Sequence, residues 1–276
     1  MTAEPAITLI VPTLDSWRQL PRLVQSLQGQ SWPHWQVLFI DGPSGPEHRH
    51  WLQQLCDQDG RFSWHPQDPG EPGIFGAMNQ GFAAAPPSSW VLFWGSDDWA
   101  AGPDVFANAT DALIADGLAA DALTAAPAPD LLICRGRYAD AASGQLGRRT
   151  AFHWSHSYRR SLALGFTPPH QATLIGPGAR ARLARYAPGF RLSADLDYFL
   201  QLSAHPDLAV VLRDLELVHM GDGGISGQQT RRRLQEVRCA YRRAFGLGWA
   251  VPFLLRYLYR LGTVVIQRQR ATTSRQ

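Results

Sequence analysis

The chain reads as an open α/β sheet with its strand ends gathered on one edge, and three observations predict it. First, the short apolar runs Ile7–Val11, Trp35–Ile40 and Trp90–Trp94 are rich in β-branched and aromatic residues. Second, each stops at a polar turn: Pro12-Thr13-Leu14-Asp15, Asp41-Gly42-Pro43-Ser44 and Gly95-Ser96-Asp97-Asp98. Third, Leu20, Leu23, Val24 and Leu27 recur at helical spacing between the first two runs, which makes a β-α-β unit with parallel neighbouring strands. Open sheets of this kind bind ligands outside the carboxyl ends of their strands.

The remaining elements follow in order. Residues Ser16 to Gly29 hold the first helix, Glu47 to Asp57 a second, and Arg61 to Trp64 a short third strand. A Pro- and Gly-rich loop from Gln67 to Gly73 leads into a helix over Ile74 to Ala84, then the strand at Trp90. Pro103 to Pro129 is Ala-rich and reads as a helix followed by a Pro-broken loop. Leu131 to Tyr138 and Arg148 to Trp154 pair as strands across Ala141-Ala-Ser-Gly144. Gln171 to Ile175 is a strand, Tyr186 to Phe190 a turn, Asp195 to Leu202 a helix, and Leu215 to Val218 a strand ending at His219. From Gln228 the pattern becomes helical.

The pair Asp97-Asp98 carries the strongest chemical signal. Adjacent carboxylates repel, so placing them at the end of a buried strand suggests a hard divalent cation beside them. The competing reading is a solvated turn or a helix N-cap.

In ordered sequence, Val11-Pro12-Thr13, Ile40-Asp41-Gly42, Gly73-Ile74-Phe75 with Ala77-Met78-Asn79, Ser96-Asp97-Asp98, His170-Gln171 and Asp195-Leu196-Asp197 resemble the family-2 glycosyltransferases of the GT-A fold, over roughly residues 7 to 227. Within that family the chain is most similar to bacterial enzymes of exopolysaccharide and surface-glycan synthesis. The resemblance implies a Rossmann-like, mainly parallel sheet with helices on both faces. It also implies a metal-dependent, inverting transfer of a hexosyl or N-acetylhexosaminyl group from a UDP- or GDP-type sugar to a glycan or lipid-linked acceptor. Pro12, Thr13, Asp41, Glu71, Asn79 and Asp97 would then contact the donor, and Asp97 and Asp98 the Mn²⁺ or Mg²⁺; His219, just before a Gly-rich loop, is either a further ligand or a surface loop histidine. Asp195 would be the general base, and His170, Gln171 and Asp197 would lie on the acceptor side. On a helix, Asp197 and Asp195 face apart, so one of the two is expected in the site. Asp195 also has a simpler reading, as a first-turn acid favouring the helix dipole.

Three positions depart from the family pattern. Relatives carry Asp or Asn where Gly95 stands, Tyr-Asp where Phe75-Gly76 stands, and Lys or Arg at Pro72. Two alternatives therefore accompany the main reading: a lipid-phosphate glycosyltransferase, and a catalytically silent nucleotide-sugar-binding scaffold.

At 276 residues and 45% hydrophobic content, the chain can bury one substantial core plus an extension. The expected division is a glycosyltransferase domain over 1–227, with a donor half to about 100 and an acceptor half over 101–227, then a helical extension over 228–276. The formal charge of +3 is carried by arginine, with no lysine in the chain. Cys56, Cys134 and Cys239 are too few and too scattered for a disulfide framework. No secretory signal is visible at Met1-Thr-Ala-Glu-Pro5, so a cytoplasmic setting is expected, without a nucleic-acid partner. The segment 247–269 mixes apolar residues with arginine and is interrupted by Pro252. It suits an interfacial helix at the inner membrane face, or a helix packed on the catalytic domain or on a second subunit of a homodimer.

Overall fold

The structure, a computed structural model, describes residues 6–118, 129–140, 142–150, 152–221 and 230–258. The turn at 221–224, from 222 onward, and the stretch 259–269 of the C-terminal segment lie outside the described residues, as does most of the Pro-broken loop before Pro129.

The donor-side half is the predicted βαβ arrangement. Strands β1 (Ile7–Thr13), β2 (Trp35–Asp41), β3 (Phe62–Pro66) and β4 (Trp90–Phe93) lie in the order β3-β2-β1-β4, all parallel. Between them run α1 (Leu20–Gln28), α2 (Pro46–Gln58) and α3 (Ile74–Ala84). Proline at the start of α1 and α2 sits where its missing N–H costs nothing. Beyond β4 the sheet becomes mixed. Strand β8 (Thr173–Ile175) pairs antiparallel to β4 and to β6 (Leu131–Ala139), and β6 runs parallel to β9 (Val210–Gly221).

Several elements differ from the sequence reading. The two-residue strand β5 (Trp99–Ala100) follows the Asp pair at once and pairs with β9, so Trp99 opens a strand instead of a helix. Strand β9 begins five residues earlier than predicted, because its first half alternates charged and apolar residues and lacks a buried-strand pattern. The partner of β6 is the short β7 (Leu146–Arg149), and His170–Ala172 forms a 3-10 turn ahead of β8. The short helices α5 (Tyr158–Ala163) and α6 (Pro177–Arg182) were not predicted, as neither is long enough to display a periodicity. Helices α4 (Val105–Leu118), α7 (Ala194–Leu202) and α8 (Thr230–Phe245) fall where the pattern placed them.

Each face of the sheet is covered. Ile7, Leu9 and Val11 of β1 pack with Leu23 and Leu27 of α1, Leu52 of α2 and Phe106 of α4. On the opposite face Ile10 packs with Met78 and Phe82 of α3, Phe199 of α7 and Tyr241 of α8. Strand alternation thus divides one strand between two cores. The fit of α3 on β1 depends on Gly81, where a Cβ would come within 2.4 Å of Ile10 Cγ2. Helix propensity favours Ala over Gly by about 1 kcal/mol, whereas overpacking typically costs 1–3 kcal/mol. Gly81→Ala is therefore expected to lower stability by up to about 2 kcal/mol in urea unfolding; a raised midpoint would mean that α3 stands clear of β1.

Candidate active site

The polar turns at the strand ends are tied to one another. Thr13 Oγ1 and Ser44 Oγ donate to Asp41 Oδ1 at 3.1 and 2.6 Å, and Arg49 Nε donates to Oδ2 at 3.4 Å. His48 Nε2 lies 3.0 Å from Asp41 Oδ1; burial outweighs the nearby carboxylates and lowers the imidazole pKa. Asp15, with a positive φ of 47°, donates its N–H to Ser44 Oγ and accepts from the Gly45 N–H. Ser16 Oγ donates to Ser96 Oγ, which in turn donates to the Pro12 carbonyl. The ends of β1, β2 and β4 therefore form one rim, and Asp41 sits inside it at 0% exposure.

The Asp pair divides into two roles. Asp98 is buried, with Oδ2 accepting from the Gly95 N–H at 2.6 Å and Oδ1 from the Gly221 N–H at 3.2 Å, which joins the end of β4 to the end of β9. Burial pushes its carboxyl up to about 8; the two N–H donors oppose this and the charge of Asp97 adds to it. Asp97 is half-buried between two glycines. A Cβ at Gly221 would lie 2.3 Å from Asp97 Oδ2, and one at Gly95 would lie 2.8 Å from Oδ1. Glycine at 95 thus clears space for the carboxylate, and a larger residue there would displace it. His219 places Nε2 at 3.0 Å from Glu216 Oε1 and its ring edge-on to Trp99.

The loop from Gln67 to Gly73 is pinned to α3. Gln67 Nε2 donates to the Glu71 and Gly73 carbonyls. A Cβ at Gly76 would fall 1.8 Å from the Glu71 carbonyl oxygen, so this loop path excludes any side chain there. The Glu71 carboxylate accepts from Arg185 at 2.6 Å. Asn79 clamps the backbone of Tyr186, accepting from its N–H at 2.7 Å and donating to its carbonyl at 3.2 Å.

On the acceptor side, buried His170 bonds through Nε2 to the Tyr186 hydroxyl at 2.7 Å and stacks on Phe93, with ring centroids 5.2 Å apart. Burial lowers the His170 pKa, and the charge of Asp195 works against that shift. Asp195 is half-buried in the first turn of α7. The Gln171 carbonyl accepts from Trp94 Nε1 at 2.9 Å, which fixes the 3-10 turn to β4. Asp197 is turned the other way, 3.3 Å from Arg243 of α8; burial raises its carboxyl to about 6 against the pull of that arginine.

Sequence reasoning missed Glu236. Its buried carboxylate accepts backbone N–H groups of Arg191, Leu192 and Ser193 at 2.8–3.0 Å, just ahead of α7. Together with Arg243 on Asp197, it fixes the helix that carries Asp195. A glutamate 41 positions along the chain carries no local signal; Tyr186, Arg185 and the serine pair Ser16–Ser96 were missed for the same reason.

A parallel Rossmann-like half whose strand ends carry an Asp pair, continued by a mixed half that carries a helix-borne Asp, is the architecture of GT-A glycosyltransferases. Staphylococcus aureus TarS in complex with UDP-GlcNAc superposes with a TM-score of 0.65 at 15% identity, over 92% of this chain and 73% of that one. The mannosyltransferase PcManGT from Pyrobaculum calidifontis, in complex with GDP-Man and Mn²⁺, gives 0.60 at 13% identity, covering 100% and 82%. Residues 8–120 match the model of glycosyl transferase family 2. An uncharacterised glycosyltransferase of Mycobacterium tuberculosis is 30% identical over 204 residues, 73% of this chain and 70% of that protein. A PGL/p-HBAD biosynthesis glycosyltransferase of Mycobacterium bovis is 25% identical over 217 residues, 78% and 76%. The chain belongs to glycosyl transferase family 2 and is a glycosyltransferase.

Asp98 gives a pH signature. Its pKa of about 8 lies above the ordinary carboxyl value of 3.8, so the folded chain holds a proton that the unfolded chain releases. The stability this contributes is complete below about pH 4 and is lost as pH rises through 8. Relative to Asp98→Asn, which has no such proton, the parent should lose melting temperature between pH 5 and 8.5 in metal-free buffer. A constant difference across that range would mean that the carboxylate is already ionised at pH 5.

Proposed function

We propose that the chain transfers a sugar from a UDP- or GDP-type nucleotide-diphosphate sugar to a hydroxyl of a glycan or lipid-linked acceptor, with inversion and with a divalent metal, in polysaccharide or surface-glycan synthesis in the cytoplasm. The observation that carries this reading is Asp97, a half-exposed carboxylate held open by Gly95 and Gly221 where β4 and β9 end. The donors named with TarS and PcManGT support the class of donor.

The residues fit a hard cation. Among the described residues no three His, Cys, Asp or Glu side chains converge as a ready-made cage. That suits Mg²⁺ or Mn²⁺ bound by one or two carboxylates together with substrate phosphates and water. Asp97 would hold the ion, with Asp98 beside it relieved of its raised pKa. His219 is held by Glu216 and Trp99 and does not converge with the Asp pair into a three-residue site. When bound, the metal stabilises the negative charge that develops on the diphosphate leaving group.

The chain's own groups do the rest. Thr13 and Asp41 are buried and would back the wall against which the nucleotide base lies, with Asp41 already held by four neighbours. Pro12, Glu71 and Asn79 shape the same pocket, the last two mainly by fixing the loop and Tyr186. Asp195 takes the proton of the acceptor hydroxyl as it attacks the anomeric carbon, and a single base with direct displacement inverts the configuration. His170, neutral by burial, and Gln171 hold the floor beneath the acceptor. Asp197, paired with Arg243, supports α7 from behind.

Two substitutions test the assignment. Asp97→Ala should abolish Mn²⁺-enhanced binding of UDP or GDP in calorimetric titration, and undiminished enhancement would refute the metal role. Asp195→Asn should keep nucleotide affinity while lowering turnover by roughly two to four orders of magnitude; turnover near the parental value would move the base elsewhere.

A further inference from the structure

Beyond the end of α8, the chain makes a 3-10 turn (Gly246–Trp249) and a helical stretch over 250–258. One face of this stretch is anchored. Pro252 is buried, and the Phe253 ring lies 5.5 Å from Trp249 and 5.1 Å from Tyr257. The guanidinium of buried Arg256 donates to the Gly165 carbonyl and to Thr167 Oγ1 at 3.1 and 2.6 Å. Gly165, at a φ of 92°, is pressed so closely on Arg256 that a Cβ would lie 2.6 Å from its Cα. The helix therefore cannot roll to hide its other side.

That other side is an apolar stripe. Leu247, Val251, Leu254 and Leu258 are spaced four, three and four residues apart and are 104%, 65%, 57% and 63% exposed, with Leu255 beside them. On the helical stretch the spacing aligns Val251, Leu254 and Leu258 on one face, and Leu247 lies on the 3-10 turn ahead of it. Beside the stripe the half-buried Trp249 carries two exposed arginines, Arg238 and Arg242, whose guanidinium carbons lie 5.2 and 6.0 Å from its ring centre.

We propose that this face docks on the surface of an anionic lipid bilayer. Charge selects this occupant. After Glu236 every charged residue in the sequence is an arginine, from Arg238 to Arg275. A second copy of the chain would bring the same positive charge against it, whereas anionic headgroups neutralise it, at about 1 kcal/mol per basic residue near the surface. Composition selects the mode. Among the described residues no helix is long and apolar enough to cross a membrane, and in the sequence Pro252, Arg256 and Arg260 interrupt the apolar run. A one-sided stripe suits the interface, and tryptophan flanked by arginine suits that depth. Because α8 also grips α7 through Glu236 and Arg243, docking would hold the helix bearing Asp195 at a fixed orientation to the lipid surface.

Lipid binding is independent of the donor and base assignments, and its test needs no turnover. The full chain is floated with vesicles of phosphatidylglycerol and phosphatidylcholine, and with phosphatidylcholine alone. We expect flotation with the anionic vesicles, weaker flotation with the neutral ones, and at least about a tenfold loss of lipid-bound protein for the triple variant Val251→Asp, Leu254→Asp, Leu258→Asp. Thermal melting confirms that the variant folds. Should it not fold, Arg238→Glu with Arg242→Glu gives a second route: it should lose the preference for anionic vesicles while leaving the stripe intact. Equal flotation of parent and variants, or none by the parent, overturns the proposal. A parental dimer that the triple variant turns into a monomer, without lipid binding, also overturns it and makes a second copy the occupant.

Discussion

The buried carboxylate of Asp41 is the constraint from which the donor half is built. A carboxylate at 0% exposure is costly unless its lone pairs are filled, and here they take hydrogen bonds from Thr13, Ser44 and Arg49 together with the close approach of His48. Those partners come from β1, the β2–α2 turn and α2. Satisfying one charge thereby fixes the ends of two strands and the start of a helix relative to each other. The backbone hydrogen bonds of Gly42 to the Thr13 carbonyl and of Gln67 to the Asp41 carbonyl extend the same rim to β3. Asp98 repeats the device across the molecule, with one oxygen on the Gly95 N–H and the other on the Gly221 N–H. Both carboxylates act on the fold first, and the site is what their geometry leaves open.

How much was legible in the sequence follows from this. The parallel half was readable because β1, β2 and β4 are buried at nearly every position and so appear as mostly apolar runs, with α1 showing a clear helical period. The mixed half was less so. Strand β5 has two residues and β8 three, too few for any period, and β9 alternates Arg213, Asp214 and Glu216 with aliphatic residues. Asp214 and Glu216 form a ladder of ion pairs with Arg137 of β6 and Arg149 of β7, so a polar pattern that resembles a loop is a strand satisfied across the sheet. Within the site, residue types were legible and partners were not. Asp97 and Asp98 stand out in the sequence, yet nothing in a linear pattern says that one is buried on backbone donors and the other lies between two glycines.

The departures from the family pattern read differently once backbone distances are known. Gly76 is forced by the approach of the Glu71 carbonyl, and Gly95 by the two carboxylates packed around it. Each is a co-adjusted solution in which a missing side chain makes room for main chain or for Asp97. A side chain at either position would have to displace main chain or Asp97. Arg185 meanwhile brings a cation to the loop that lacks one at Pro72, through its ion pair with Glu71.

The C-terminal helix changes how the second half is understood. Val237, Ala240 and Tyr241 of α8 belong to the same apolar cluster as Ile10 of β1 and Phe93 of β4, and Tyr241 donates its hydroxyl proton to the Leu162 carbonyl. Glu236 does for the start of α7 what Asp41 does for the strand ends: a buried anion gathers three backbone N–H groups that the loop of residues 191–193 would otherwise leave without partners. A carboxylate on a neighbouring helix is a stiffer anchor than a cap from the loop itself, since its own position is set by a 16-residue helix packed on the core. The position of Asp195 is thus determined from outside its own segment. Any force on the stretch after α8, a lipid surface included, acts on a body that already contains the start of α7.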